Sequence, residues 1–67
     1  MFEVGDRVKD RATGDIGVVI HLGEWAGLGE SDTVWTYWPK HNNNLQSKPD
    51  ELEIVSRLAA KAVQDAG

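Results

Sequence analysis

The side chains best suited to chemistry in this 67-residue chain are two histidines and eleven carboxylates, and the chain has no cysteine. His21 ends an apolar run and His41 precedes three asparagines, and neither stands at a ligand spacing that would hold a metal ion. Gly23, Gly27 and Gly29 lack the spacing and the following lysine of a phosphate-binding loop. The sequence therefore predicts no catalytic residue, no metal site and no cofactor.

Aromatic side chains form a more informative pattern. The chain has three tryptophans, and Trp35, Tyr37 and Trp38 are nearly consecutive. Since successive side chains of a strand point to opposite faces, Trp35 and Tyr37 share one face and Trp38 takes the other. In one arrangement Trp38 lies in the core, and residues 23–32 or the C-terminal segment partly cover Trp35 and Tyr37. The core of that arrangement would also hold Val8, Val18, Ile20, Leu52 and Ile54.

The other arrangement leaves Trp35 and Tyr37 exposed as a surface that binds a protein partner. Flat rings offer a large contact area at low entropic cost. Residues 23–32 contain three glycines and several acids, which predicts a mobile loop, and Trp25 on this loop would complete the surface. We call Trp25, Trp35 and Tyr37 the aromatic surface.

A second candidate surface consists of the basic residues Arg7, Lys9 and Arg11, which alternate along the first predicted strand. They are either solvated charges beside Asp6 and Asp10 or a stripe that contacts phosphates. The chain carries seven basic and eleven acidic side chains, for a net charge of -4 and a pI near 4.9. Because nucleic-acid binding depends on clustered Lys and Arg, this charge favours a protein partner over a nucleic acid.

Short apolar runs separated by turn residues predict five strands and an all-β domain. The strands are expected at residues 4–11, 16–22, 33–38, 45–48 and 52–55. Turns are expected at residues 13–15 and 42–44, where glycine or asparagine tolerates a positive φ, and a single helical turn is expected at residues 49–51. Gly17, inside the second strand, predicts a bulge or a sharp bend.

The hydrophobic pattern changes its period after Val55. From there to Ala66 apolar residues recur at helical spacing, and Ser56 is a suitable N-cap, which predicts an amphipathic helix over residues 56–67. A helix of this length is marginal when isolated in water. It would either cover an open end of the domain or join copies of the chain in a homo-oligomer.

Three segments of the sequence resemble SH3-like small β-barrels of bacteria. They are Phe2-x-Val4-Gly5-Asp6-Arg7-Val8, Gly14-Asp15-Ile16-Gly17-Val18-Val19 and residues 49–55. The opening is similar to KOW and Tudor-like barrels of transcription and translation factors and to RNA-polymerase-binding barrels. The short C-terminal α-helix expected at residues 56–67 lies outside the resemblance, which covers nearly all of residues 2–55. The resemblance implies a mainly β fold, with a small five-stranded SH3-like barrel at residues 1–55. It implies a module that binds a protein or, as an alternative, one that associates with nucleic acid or RNA polymerase.

A weaker similarity points to an enzyme. The opening segment and Leu45-Gln46-Ser47-Lys48-Pro49 are similar to type II dihydrofolate reductases, which are SH3-like barrels that assemble as tetramers around a pore. That similarity implies that Gln46 lines the pore, whereas Ser47 and Lys48 replace the apolar and tyrosyl residues of the family. We therefore expect a non-enzymatic module that binds a protein through the aromatic surface, with the nucleic-acid and reductase roles as alternatives.

The expected location is the cytoplasm. The absence of cysteine fits a reducing compartment. No apolar run approaches the roughly 20 residues of a membrane-spanning helix. The N-terminus has no basic region followed by an apolar stretch, so no secretory signal is expected.

Overall fold

The computed structural model describes residues 1–57, which form one five-stranded antiparallel sheet. β1 spans Arg7–Asp10, β2 Ile16–Leu22, β3 Val34–Trp38, β4 Asn43–Ser47 and β5 Leu52–Ser56, and a 3-10 turn at Pro49–Glu51 precedes β5. The strands lie in the order β4-β3-β2-β1-β5. The predicted all-β class, the five strands and the helical turn are confirmed. Within the described part of the chain, no helix has the length and apolar character needed to cross a membrane.

Two of the turns between strands depend on residues that tolerate a positive φ. Gly14 has φ 81° in the turn between β1 and β2, and Asn42 has φ 51° just before β4. Asparagine reaches this region more easily than most residues, because its short polar side chain bonds locally. The predicted asparagine turn is thus confirmed at Asn42, whereas Asn43 and Asn44 already belong to β4.

The core lies on one side of the sheet, which is called the inner face. It consists of buried side chains from four strands, with two partly buried ones packed against them: Val8, Val19, Val34, Trp38 and Leu52, and then Phe2 and Ile54. β3 and β5 are three strand spacings apart in the sheet order, which is about 14 Å in a flat sheet. Because Trp38 and Leu52 nevertheless belong to one cluster, the sheet must curl around the core.

The prediction that Val18 and Ile20 pack in the core is wrong. Gly17 and Val19 face inwards, because their partners across the sheet are inner-face residues of β1 and β3. Val18 lies opposite Tyr37 on the other face, and a bulge follows Val19. The irregularity predicted at Gly17 therefore lies two residues later in β2.

The predicted barrel is not closed. No pairing joins the edge strands β4 and β5 within residues 1–57. β4 is polar, and its one apolar side chain, Leu45, stays about half exposed, so little apolar surface draws this edge towards β5. β5 continues to Ser56, which pairs with Arg7 instead of capping a helix. The remainder of the predicted C-terminal helix, residues 58–67, lies outside the described residues.

The N-terminal segment is held against the end of β5 by Asp6 and Arg57. The buried carboxylate of Asp6 accepts the backbone N–H of Glu3 at 2.9 Å. The Arg57 guanidinium donates to the carboxylate of Glu3 at 2.9 Å and to the carbonyl of Met1. Beside this contact lies a groove of about 280 Å³, whose lining includes Met1, Phe2, Leu22, Val34 and Pro49. The chain therefore leaves β5 next to an apolar groove.

Asp15 joins the turn after β1 to the segment before β4. Its carboxylate lies 3.1 Å from the ring nitrogen of His41 and 3.4 Å from the amine of Lys40. The hydrogen bond with His41, with Lys40 acting in the same direction, holds the pKa of the Asp15 carboxyl below its ordinary value. The charged form of Asp15 is therefore favoured by folding.

The substitution Asp15→Asn is expected to destabilise the domain near neutral pH and to have little effect in acid. A carboxyl whose pKa is lowered by folding stabilises the folded state above its unfolded-state pKa, which is about 4. This contribution is lost as the pH falls through the folded-state pKa. Urea unfolding of both proteins across that range measures the effect. A difference in stability that stays constant with pH would contradict the role of the Asp15 charge.

Candidate binding face

The register of the sheet brings the sequence-predicted surfaces onto one face. Directly opposed residues of antiparallel strands point to the same side. Trp35 lies opposite Gln46. Tyr37 lies opposite Val18, and Val18 lies opposite Arg7. We name this side the outer face; its strand residues include Arg7, Lys9, Val18, His21, Trp35, Tyr37, Asn44 and Gln46.

Trp35 is a buried support of the outer face, with 8% of its surface exposed. Its indole N–H donates to the carbonyl of Gly23 at 3.0 Å. The ring of Trp25 meets it edge-on, with centroids 5.3 Å apart and planes at 88°. This T-shaped arrangement is a favourable aromatic geometry. Residues 23–25 therefore cover Trp35, and Trp38 lies in the core on the inner face.

Trp25 is held by a small hairpin inside the segment predicted as a mobile loop. The backbones of Trp25 and Leu28 exchange two hydrogen bonds, at 2.9 and 3.0 Å. Ala26 and Gly27 between them have φ of 54° and 80°, as in a type I′ turn. The ring of Trp25 also lies 5.0 Å from the ring of His21 and remains 39% exposed. The indole is thus both fixed in place and accessible.

The substitution Ala26→Asn is expected to stabilise the domain by about 0.5–1 kcal/mol, because asparagine adopts a positive φ more easily than alanine and Asn-Gly is the favoured pair of a type I′ turn. Ala26 is exposed, so the exchange disturbs no packing. Thermal unfolding measures the gain. The matched variant Ala26→Val places a β-branched residue at the same φ and should be less stable than the wild type. Equal stability of the three proteins would contradict this turn geometry.

Tyr37 lies at the middle of the outer face and is partly buried. Its hydroxyl donates to the side-chain oxygen of Asn42 at 2.8 Å. Across the sheet it lies between Val18 on β2 and Asn44 on β4. The hydrogen bond to Asn42 therefore fixes the orientation of the Tyr37 ring, and Val18 on β2 is its apolar neighbour.

The basic residues of the predicted stripe differ in their surroundings. Arg11 lies 3.6 Å from the carboxylate of Glu53. Within residues 1–57, neither Arg7 nor Lys9 forms a salt bridge, although Lys9 lies opposite Glu53 in the register. Arg7 is exposed and Lys9 is half-buried. The aromatic surface and the first two residues of the basic stripe are thus parts of one face.

Gln46 lies at the β4 end of the outer face, beside a polar cleft of about 170 Å³. The cleft is lined by Thr33, Gln46, Ser47, Lys48 and Glu51. The amine of Lys48 donates to the carboxylates of Glu30 at 2.7 Å and Asp32 at 3.1 Å. These two bonds raise the pKa of the Lys48 amine, and the bond with Glu30 has the larger effect. They connect the segment before β3 to Lys48, which follows β4. Gln46 is exposed and lies opposite Trp35.

The sequence did not indicate His21 or the hairpin as parts of the face. The only local sign of the hairpin is the pair Ala26-Gly27, which is a weaker turn signal than Asn-Gly. Three or more His, Cys, Asp or Glu side chains do not gather as metal ligands anywhere in residues 1–57. The outer face offers aromatic area, side-chain amides and two positive charges. In comparisons with models of protein families, with curated proteins and with solved structures, nothing matches this chain.

Proposed function

We propose that this chain is a non-enzymatic interaction module that binds a protein partner through its outer face, with Trp25 as the main contact residue. The observation that carries the proposal is an indole that is fixed in place and still accessible. Central tryptophans contribute much of the binding energy in protein interfaces. Trp25 is 39% exposed on a surface hairpin, so its ring can reach a partner without any change of the core.

The geometry around Trp25 lowers the cost of binding. Trp35 lies beneath its ring and His21 lies beside it, so the indole has little freedom to lose when a partner binds. Tyr37 and Val18 extend the contact area along the outer face. In this arrangement Trp35 acts as the support of Trp25, and Trp25 and Tyr37 provide the contact.

The proposal includes a partly open SH3-like barrel for residues 1–55 and a helix in the C-terminal segment. The strand order β4-β3-β2-β1-β5 and the 3-10 turn just before the last strand support the barrel. The apolar groove next to Arg57 supports the helix, since the apolar side of residues 58–66 would cover it. A circular dichroism spectrum of the full chain without a helical contribution would contradict the second part.

Removal of the Trp25 ring tests the proposed function. Peptides are first selected on the full chain from a random-peptide display library, and their affinities are measured by calorimetry. Trp25→Ala is expected to weaken binding of the selected peptides by about 2 kcal/mol, or roughly thirtyfold. Leu28→Ala is the matched control, because Leu28 is an exposed apolar residue of the same hairpin, and it should change affinity by less than about threefold.

The proposal fails if Trp25→Ala binds the selected peptides as well as the wild type, or if no peptide is enriched. Thermal unfolding of both variants shows whether the domain still folds. A loss of binding without a loss of the folded state is the expected combination for Trp25→Ala.

A further inference from the structure

We infer that the partner of the outer face is an acidic segment of a protein, whose carboxylates lie over Arg7 and Lys9 while an apolar side chain next to them contacts Tyr37 and Trp25. This inference rests on the proposed function and adds the chemistry of the partner. The observations behind it are the distribution of charge and the register of the sheet.

The charge of the outer face differs from that of the whole chain. Residues 1–57 contain ten acidic and six basic side chains, whereas the paired strand residues of the outer face include Arg7, Lys9 and one acid, Glu53. Four basic residues have an acidic partner within 4.0 Å: Arg11, Lys40, Lys48 and Arg57. Arg7 and Lys9 are the two without one in this part of the chain. An acid-rich chain therefore keeps Arg7 and Lys9 two residues apart on one strand without a salt bridge, and Glu53 lies opposite Lys9 on the same face.

The position of Arg7 relative to the aromatic surface makes the two parts one contact. Arg7, Val18 and Tyr37 form a row across three neighbouring strands, so Arg7 and Tyr37 are about 10 Å apart at the backbone. In an extended peptide, side chains two residues apart lie on the same side at roughly 7 Å. The long side chain of Arg7 spans the remaining distance. A carboxylate two residues from an aromatic or aliphatic side chain therefore fits this row.

The same charges favour a peptide over a nucleic acid. A DNA duplex carries one negative charge about every 1.7 Å of its axis, and its binding requires many neutralised phosphates. Among residues 1–57 the outer face supplies two cations without a salt bridge, Arg7 and Lys9, in a chain with a net charge of -4. A longer polyanion would extend beyond these two charges and be repelled by the net negative charge of the chain. A short peptide with a few carboxylates avoids that repulsion.

The peptides selected on the full chain from a random library provide the test. The enriched sequences are expected to carry Asp or Glu two residues from an aromatic or aliphatic residue. Arg7→Gln should weaken their binding about tenfold, and replacing the peptide carboxylates by amides should have a similar effect. Arg11→Gln is the matched control, because Arg11 already has Glu53 as its partner, and it should change affinity less than about twofold. Binding should also weaken as salt is raised.

The outcomes separate this inference from the proposed function. If the selected peptides are neutral or basic, require Trp25 and bind the Arg7→Gln variant as tightly as the wild type, the inference of an acidic partner is overturned. The proposed protein-binding role then remains intact. Acidic peptides that need Arg7 but bind Trp25→Ala normally would support the charge contact and overturn the aromatic contact. Tighter binding of a single-stranded oligonucleotide than of any selected peptide, at physiological salt, would overturn both.

Discussion

Replacement of Gly17 by alanine is expected to destabilise the domain by about 3 kcal/mol, the upper part of the range for overpacked cores. A Cβ at this position would lie 2.6 Å from Thr36 Cγ2, 2.7 Å from Trp38 Cε3 and 2.7 Å from the carbonyl oxygen of Tyr37. Thr36 and Trp38 are buried, and the Tyr37 oxygen belongs to the backbone of β3, so none of the three can move cheaply. β2 and β3 would have to separate where they share the core.

Urea unfolding measures this effect, and Gly14→Ala is the control. Gly14 has φ 81° with no atom within 4 Å of an added Cβ, so its substitution strains the backbone without crowding any neighbour. That strain costs about 1–2 kcal/mol, which is less than the expected loss at Gly17. Equal losses in the two variants would contradict the close approach of β2 and β3 at Gly17, because Gly17 has no positive φ that would itself require glycine.

Trp38→Ala is expected to leave the domain largely unfolded. Truncation of a buried tryptophan costs about 3–5 kcal/mol, and a core of this size rarely supplies more than about 3–5 kcal/mol of net stability. Trp38 is 3% exposed and packs in the core with residues of β1, β2, β3 and β5. Its loss removes the largest side chain of that cluster.

Trp25→Ala provides the comparison for Trp38→Ala, since it removes the same ring from a half-exposed site. It should cost about 1 kcal/mol, from the lost edge contact with Trp35. The two variants are compared by thermal unfolding. A stable, cooperatively folded Trp38→Ala protein would show that the inner face does not depend on this ring.

The strands and turns could be predicted because they depend on the conformational preferences of residues that are close together in the chain. β2 is rich in β-branched residues, Asn42 accepts a positive φ, and proline begins the short turn at Pro49–Glu51. The alternation that separates Trp38 from Trp35 also follows from the strand period alone. These features need no knowledge of which strands are neighbours.

The inward side of β2 could not be predicted in the same way. Both sides of this strand are apolar, and Gly17 has no side chain that would mark the inner set. The register with β1 and β3 decides that Val19 is buried, and the bulge after Val19 then shifts the later residues.

The sequence also did not show that the basic residues and the aromatic surface lie on one face. Arg7 and Tyr37 are far apart along the chain and meet in one row because Val18 pairs with both. The cover over Trp35 depends on a hairpin whose Ala26-Gly27 turn is a weak signal. Sequence patterns describe each strand by itself, whereas the face is a property of three paired strands.

The three indoles of the chain lie at three depths, with 3% of Trp38, 8% of Trp35 and 39% of Trp25 exposed. Indole emission moves to longer wavelength when water gains access to the ring and to shorter wavelength when water is excluded. Unfolding exposes the Trp38 ring to water, whereas a partner bound to the hairpin excludes water from the Trp25 ring. Intrinsic fluorescence therefore distinguishes loss of the fold from occupation of the hairpin by the sign of the spectral shift, without any attached dye.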